Sequence, residues 1–128
     1  MKLLLDTQVA LWWLAGSARL KAPARARIGA ASCQLSVASI WEVAIKHALG
    51  KLPIAPQDFR DGLAPGAGIL PITDHHAIAT ARLPAGHADP FDRLLLATAQ
   101  VEKLQLLTVD AALLRFAETL GGIAVAMP

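Results

Sequence analysis

Short apolar runs alternate with helical patterns along the whole chain. Lys2–Leu5 is a compact apolar run closed by Asp6, which predicts a buried strand. Thr7–Ala15, containing the Trp12-Trp13 pair, predicts a helix, and Pro23–Ala31 a second one. Gln34–Ser36 is a short strand candidate. In Ser39–Leu49 the apolar positions Ile40, Trp41, Ala44, Ile45, Ala48 and Leu49 recur at helical spacing, and Gly50 stops the pattern. Pro53 and Pro56 mark a loop, Gln57–Leu63 a further helical piece, and Pro65–Gly68 a turn. Ile69–Ile72 predicts a strand and Asp74–Arg82 a helix capped by Asp74. After the loop Pro84–Ala88, a long apolar helix runs from about Pro90 to Lys103. Leu104–Val109 predicts a strand, Ala111–Leu120 a helix, and Ile123–Ala126 a last strand. Strands alternating with helices predict an α/β domain, with a mostly parallel sheet of about five strands and helices on both faces.

That fold makes the carboxylates informative, because open parallel sheets bind ligands beyond the carboxyl ends of their strands. Asp6 directly follows the first predicted strand and Asp110 follows Leu104–Val109. Asp89 suits an N-cap with Pro90 at the first helical position, and Asp92 lies in the same first turn. Each alone is explained by capping, which stabilises a helix by about 1 kcal/mol. Glu42 is not at a terminus: it sits at the border of the apolar stripe, four residues before Lys46. A surface Glu–Lys pair worth about 0.2–0.5 kcal/mol is its bland account. Taken together, Asp6, Glu42, Asp89, Asp92 and Asp110 are half of the ten acids in the chain, and the topology can gather them. Gathered carboxylates repel unless a cation intervenes. A hard divalent ion, Mg²⁺ or Mn²⁺, takes such oxygen ligands, and can then activate water against a phosphodiester.

Composition narrows the rest. At 128 residues the chain is read as one domain, 1–128, long enough for a core. No apolar run approaches a membrane span of about 20 residues, and Leu3–Ala15, interrupted by Asp6-Thr7-Gln8, does not read as a signal peptide. The lone Cys33 excludes an internal disulfide and supplies no zinc cluster. A soluble cytoplasmic protein is the expectation. Net charge is only +2, but residues 1–60 hold eight Lys/Arg against three Asp/Glu, and residues 61–128 hold four against seven. Arg19, Lys21, Arg25 and Arg27 crowd one segment that can track phosphates or form a solvated helix face.

The ordered segments MKLLLDTQVALWWLAG, SVASIWEVAIKHALGKL, LPIT, DPFDRLLLATAQ and LLTVDAAL cover nearly the whole chain. As a set they resemble PIN-domain ribonucleases, and more narrowly the VapC-like toxins of bacterial toxin–antitoxin pairs. The resemblance implies metal-ligand roles for Asp6, Glu42, Asp92 and Asp110, with Asp89 an additional acid of the DPFD subgroup that also takes part in catalysis. Which of Asp89 and Asp92 contacts metal directly is left open. It further implies Mg²⁺ or Mn²⁺ dependence, RNA cleavage, dimers, and a small antitoxin that blocks the site. Gln8 and Ala88 stand where many relatives have His and Arg, which leaves substrate choice and antitoxin contacts open.

Other residues carry lesser expectations. Thr7 is a candidate for holding a ligand water, and Arg93 for touching phosphate or pairing with Asp89. His75 and His76 are read as surface residues; His87, just before the DPFD turn, is a candidate for approaching substrate and is read first as a solvent-exposed loop residue. Trp12, Trp13 and Trp41 are read as packing or interface residues. Competing functions are a catalytically silent RNA- or protein-binding module, disfavoured by the filled acid set, and an aspartyl-nucleophile phosphohydrolase. The second chemistry uses two acids two residues apart after the first strand, and Asp6-Thr7-Gln8 lacks the second. A receiver domain fails on its missing paired acids, and no GxxxxGK[ST] phosphate loop is present.

Overall fold

A computed structural model describes residues 2–121 and 124–126. Five parallel strands, β1 (Lys2–Leu5), β2 (Ser32–Ser36), β3 (Ala67–Leu70), β4 (Gln105–Thr108) and β5 (Ala124–Ala126), form one sheet in the order β3-β2-β1-β4-β5. The helices are α1 (Thr7–Ala15), α2 (Ala22–Ala30), α3 (Val37–Ala48), α4 (Pro56–Leu63), α5 (Asp74–Ala79), α6 (Pro90–Glu102) and α7 (Ala111–Glu118).

Past the exposed Lys2, the central strand is apolar, Leu3–Leu5, because both its faces are covered there, as parallel sheets require. Side chains of a strand alternate between faces, and the two cores follow that alternation. Leu3 and Leu5 join Val9, Leu35, Val43, Phe59 and Leu107 on one face, under α1, α2, α3 and α4. Leu4 joins Leu95, Leu96, Leu106, Leu113 and Phe116 on the other, under α6 and α7. The chain steps outward from β1 to β2 to β3, then returns to place β4 on the other side of β1. The strand order therefore reverses between β1 and β4, and a crevice opens beyond their carboxyl ends.

Several boundaries differ from expectation. The strand expected at Ile69–Ile72 lies two residues earlier and includes Gly68, whose missing side chain leaves room for the Gln34 amide of the neighbouring strand. Helix α3 begins at Val37 with Ser36 as its cap, because the Ser36 hydroxyl accepts the Ala38 N–H at 3.0 Å. The expected apolar stripe of this helix is not its buried face: Ala38, Ser39 and Val43 are buried, while Trp41 is 57% and Leu49 64% exposed. Thr73, not Asp74, caps α5, and the His76 side chain completes a capping box. That helix ends at Ala79 and tightens into a 3-10 turn, Thr80–Arg82. The last strand was expected from Ile123, which lies outside the described residues.

Candidate active site at the carboxyl edge of β1 and β4

The strand ends place the acids. Asp6 leaves β1 with its N–H on the Leu107 carbonyl of β4 at 3.0 Å, so both strand ends are tied together where α1 begins. Its Oδ1 accepts the Thr7 N–H at 2.8 Å and its Oδ2 accepts the Thr108 hydroxyl at 2.7 Å. Thr108 Oγ1 also accepts the Asp110 N–H at 3.1 Å, linking the two aspartates through one hydroxyl. Asp110 caps α7, its Oδ1 accepting the Ala112 and Leu113 N–H groups. Asp89 caps α6 through Oδ1 and the Asp92 N–H at 3.0 Å. The capping accounts of these residues are therefore correct, yet they occupy only one oxygen of each. Among the described residues, Oδ2 of Asp89 and of Asp110 takes no protein hydrogen bond.

Glu42 comes to the same place from α3. Thr7 Oγ1 donates to Glu42 Oε1 at 2.7 Å and shares a hydrogen bond with Ser39 Oγ at 2.9 Å, which explains the burial of two hydroxyl side chains there. Lys46 reaches Glu42 Oε2 at 2.7 Å. One pocket is lined by Asp6, Thr7, Gln8, Leu11, Glu42, Lys46, Asp89, Asp92, Val109 and Asp110. All five acids named from the sequence thus line a single cavity, although 104 positions separate the first from the last.

Electrostatics confirm the crowding. Burial, with the nearby Asp92 and Glu42 charges, pushes the Asp6 carboxyl up to about 6, against the lowering pull of the Thr108 hydroxyl and the Thr7 N–H. Burial also raises Asp92, as do the Asp89 and Asp110 charges, while its hydrogen bond to His87 lowers it. A cluster whose members raise one another favours a cation among them. The donors are all carboxylate oxygens, which suits a hard divalent ion that keeps several waters. Among the described residues, no three acidic, His or Cys side chains are already closed around a single ion position. An ion here would therefore be held openly, with several of its ligands supplied by water.

Other residues take different places. Arg19, Lys21 and Arg27 are exposed and do not line this pocket. Arg25 turns onto its own segment, with Nε on the Leu20 carbonyl at 2.9 Å and a second nitrogen on the Ser17 carbonyl. Arg93 neither lines the pocket nor pairs with Asp89: its guanidinium binds four backbone carbonyls, those of Thr80, Leu83, Pro84 and His87. Lys46, read from the sequence only as a surface partner of Glu42, is the pocket's cation. Two histidines were misjudged as surface residues. His76 is fully buried, accepting the Thr73 N–H at Nδ1 and donating from Nε2 to Glu102 at 2.8 Å. His87 is only 12% exposed at its side chain and bonds Asp92 Oδ2 at 2.8 Å.

A second surface feature adjoins the acids. Trp41, Ile45, Phe91 and Leu94 form an apolar hollow between α3, α5 and α6, with Trp41 and Phe91 edge to face at 5.3 Å. Phe91 lies between Asp89 and Asp92 in sequence, so the hollow and the acidic pocket share the first turn of α6.

Comparison with known proteins bears on the family and the fold. The family profile described as PIN domain matches residues 3–119. No curated protein sequence matches this one. Among solved structures, a chain of VapBC2 from Rickettsia felis, bound to a DNA fragment from their promoter, aligns over 100% of both chains with a TM-score of 0.72 and 12% identity. A chain of DNA-bound VapBC from Salmonella typhimurium aligns over 98% of both with a TM-score of 0.70 and 19% identity. One from a toxin–antitoxin complex of Klebsiella pneumoniae covers 96% of this chain and 95% of that one, with a TM-score of 0.63 and 21% identity. At these identities the structural likeness speaks for the fold. The profile match extends over nearly the entire sequence and contains all five acids, and on that ground the chain belongs to the PIN-domain family.

Proposed function

We propose that this chain is a Mg²⁺- or Mn²⁺-dependent endoribonuclease, acting as the toxin of a toxin–antitoxin pair that inhibits translation. The observation that carries the reading is the convergence of Asp6, Glu42, Asp89, Asp92 and Asp110 on one pocket at the β1/β4 crevice. A bound ion would supply an activated water and neutralise charge on the phosphodiester. Asp6, Asp92 and Asp110 would hold it, with Asp89 adjacent, and Glu42 would take a second ion position or orient the water. Thr7 fixes Glu42 and Thr108 fixes Asp6, so both carboxylates are held in place before any ligand arrives. Lys46 would meet a phosphate oxygen at the pocket wall, while Arg19, Lys21 and Arg27 would guide the RNA from outside it.

The partner reading rests on the neighbours: VapBC and toxin–antitoxin complexes. A cognate antitoxin and a second copy of this chain are the proposed partners, and the exposed Trp41–Phe91 hollow offers apolar area for such contacts. No described helix is long and apolar enough to cross a membrane. A cytoplasmic location follows from the proposed RNA substrate.

The test is direct. Protein freed of any partner is incubated with a pool of cellular RNAs and Mg²⁺ or Mn²⁺, alongside EDTA and an Asp6→Asn variant. Discrete cleavage that requires both the metal and Asp6 is expected. RNA binding without cleavage by folded, metal-loaded protein would replace the enzyme with a binding module.

A further inference from the structure

The segment before α6 is fixed by one side chain. Arg93 Nη1 donates to the Pro84 and His87 carbonyls at 2.9 and 3.0 Å, and Nη2 to the Leu83 and Thr80 carbonyls at 3.0 and 3.2 Å. Four acceptors on one guanidinium clamp the turn Thr80–His87 to the first turn of α6. Gly86 lies within this turn at φ +131°, a backbone conformation that L side chains rarely adopt. The clamped turn ends at His87, whose ring stacks on Phe116 at 5.7 Å and 24°. From there His87 Nε2 donates to Asp92 Oδ2 at 2.8 Å. Asp92 Oδ1 takes no protein hydrogen bond among the described residues, and Asp92 lines the acidic pocket.

We propose that His87 and Arg93 are positioning residues for Asp92. Arg93 holds the turn, Phe116 holds the imidazole flat, and the imidazole holds one carboxylate oxygen so that the other is presented to the ion. The inference rests on the metal-site reading given under Proposed function, and adds to it two residues that do not themselves touch the ion. Partners of this kind, one bond removed from a ligand, typically change metal affinity by about 10–100-fold when lost.

The experiment measures Mn²⁺ affinity from the free-ion electron paramagnetic resonance signal, for wild-type chain, His87→Ala, His87→Phe, His87→Gln and Arg93→Lys. Near-ultraviolet circular dichroism of each protein reports its tertiary packing. His87→Phe keeps a ring for Phe116 but has no donor, whereas His87→Gln keeps a donor without the ring. The expected result is a Kd raised about 10-fold or more in His87→Ala and His87→Phe and restored toward wild type in His87→Gln. Arg93→Lys is expected to weaken binding as well, since one ammonium cannot span four fixed carbonyls. Wild-type affinity in His87→Ala, or rescue by Phe and not by Gln, overturns the role of the hydrogen bond. Wild-type affinity in Arg93→Lys overturns the clamp. Wild-type protein that binds no Mn²⁺ overturns the metal reading itself, a result distinct from the others.

Discussion

Replacing Asp6 by Asn should make the metal-free protein more stable at pH 8 while removing its activity. Asp6 is 6% exposed, and its carboxyl is raised from 3.8 to about 6, chiefly by burial. A raised folded value means that stability present below pH 3.8 is lost as pH rises through about 6. Two units at about 1.4 kcal/mol each give about 3 kcal/mol of penalty for the ionised form at pH 8. Asn carries no charge, but its amide cannot accept from both Thr7 and Thr108, and one lost hydrogen bond offsets about 1 kcal/mol. A net gain of about 2 kcal/mol is expected at pH 8 in EDTA, and a small loss at pH 4, where Asp6 itself is protonated. Urea denaturation at both values, followed by circular dichroism, measures the difference. An Asn variant less stable than wild type at pH 8, or the same difference at both pH values, would refute the reasoning. It would mean that Asp6 is held by its hydrogen bonds at no electrostatic cost, as a structural cap would be.

Three further outcomes follow from individual contacts. Thr108→Val removes the donor to Asp6 and the acceptor for the Asp110 N–H; urea titration should show a loss of about 1–3 kcal/mol, with the midpoint of its pH dependence moved upward. Reversing Arg19, Lys21 and Arg27 to Glu should weaken RNA binding, and neutralising all three should reduce the slope of log affinity against log salt by about 2, measured by filter binding; an unchanged slope would remove this segment from the RNA path. Trp41→Glu should abolish any self-association, so that light scattering gives the mass of a single 13.5 kDa chain; an assembly that persists would place the interface elsewhere.

Elements whose pattern was local were legible. The run Lys2–Leu5 and the helix Pro90–Glu102 declare themselves by apolar content and by Pro90 at the first helical position. The gathering of the five acids in one pocket was legible because each sits at a strand end, a cap or a stripe border, places that the α/β topology brings together. What was hidden depends on distant partners. Nothing near His76 in sequence announces Glu102, 26 positions on, which lets an imidazole be buried. His87 and Arg93 were misread for the same reason: their partners are a carboxylate and carbonyls presented by a turn whose shape is not written in periodicity. The apolar stripe of α3 was misassigned because its small polar Ser39 is buried to meet Thr7, while its largest residue, Trp41, faces outward beside Phe91. The cap at Thr73 outcompeted Asp74 because the capping box uses a hydroxyl and an imidazole three residues apart, a pairing that the usual acid–cap pattern does not contain.

The central claim is that the carboxylates at the β1/β4 edge form a divalent-metal site rather than a set of helix caps. Calorimetric titration of Mn²⁺ into the partner-free chain at pH 8, repeated with Asp92→Asn and Asp110→Asn, tests it without knowledge of the RNA. The account predicts binding by the wild-type chain that weakens as pH falls through about 6, where Asp6 takes up its proton, and that is lost or strongly reduced in both variants. Folded wild-type protein that takes up no Mn²⁺, or variants that bind it as well as wild type, would contradict the account and leave the acids as caps.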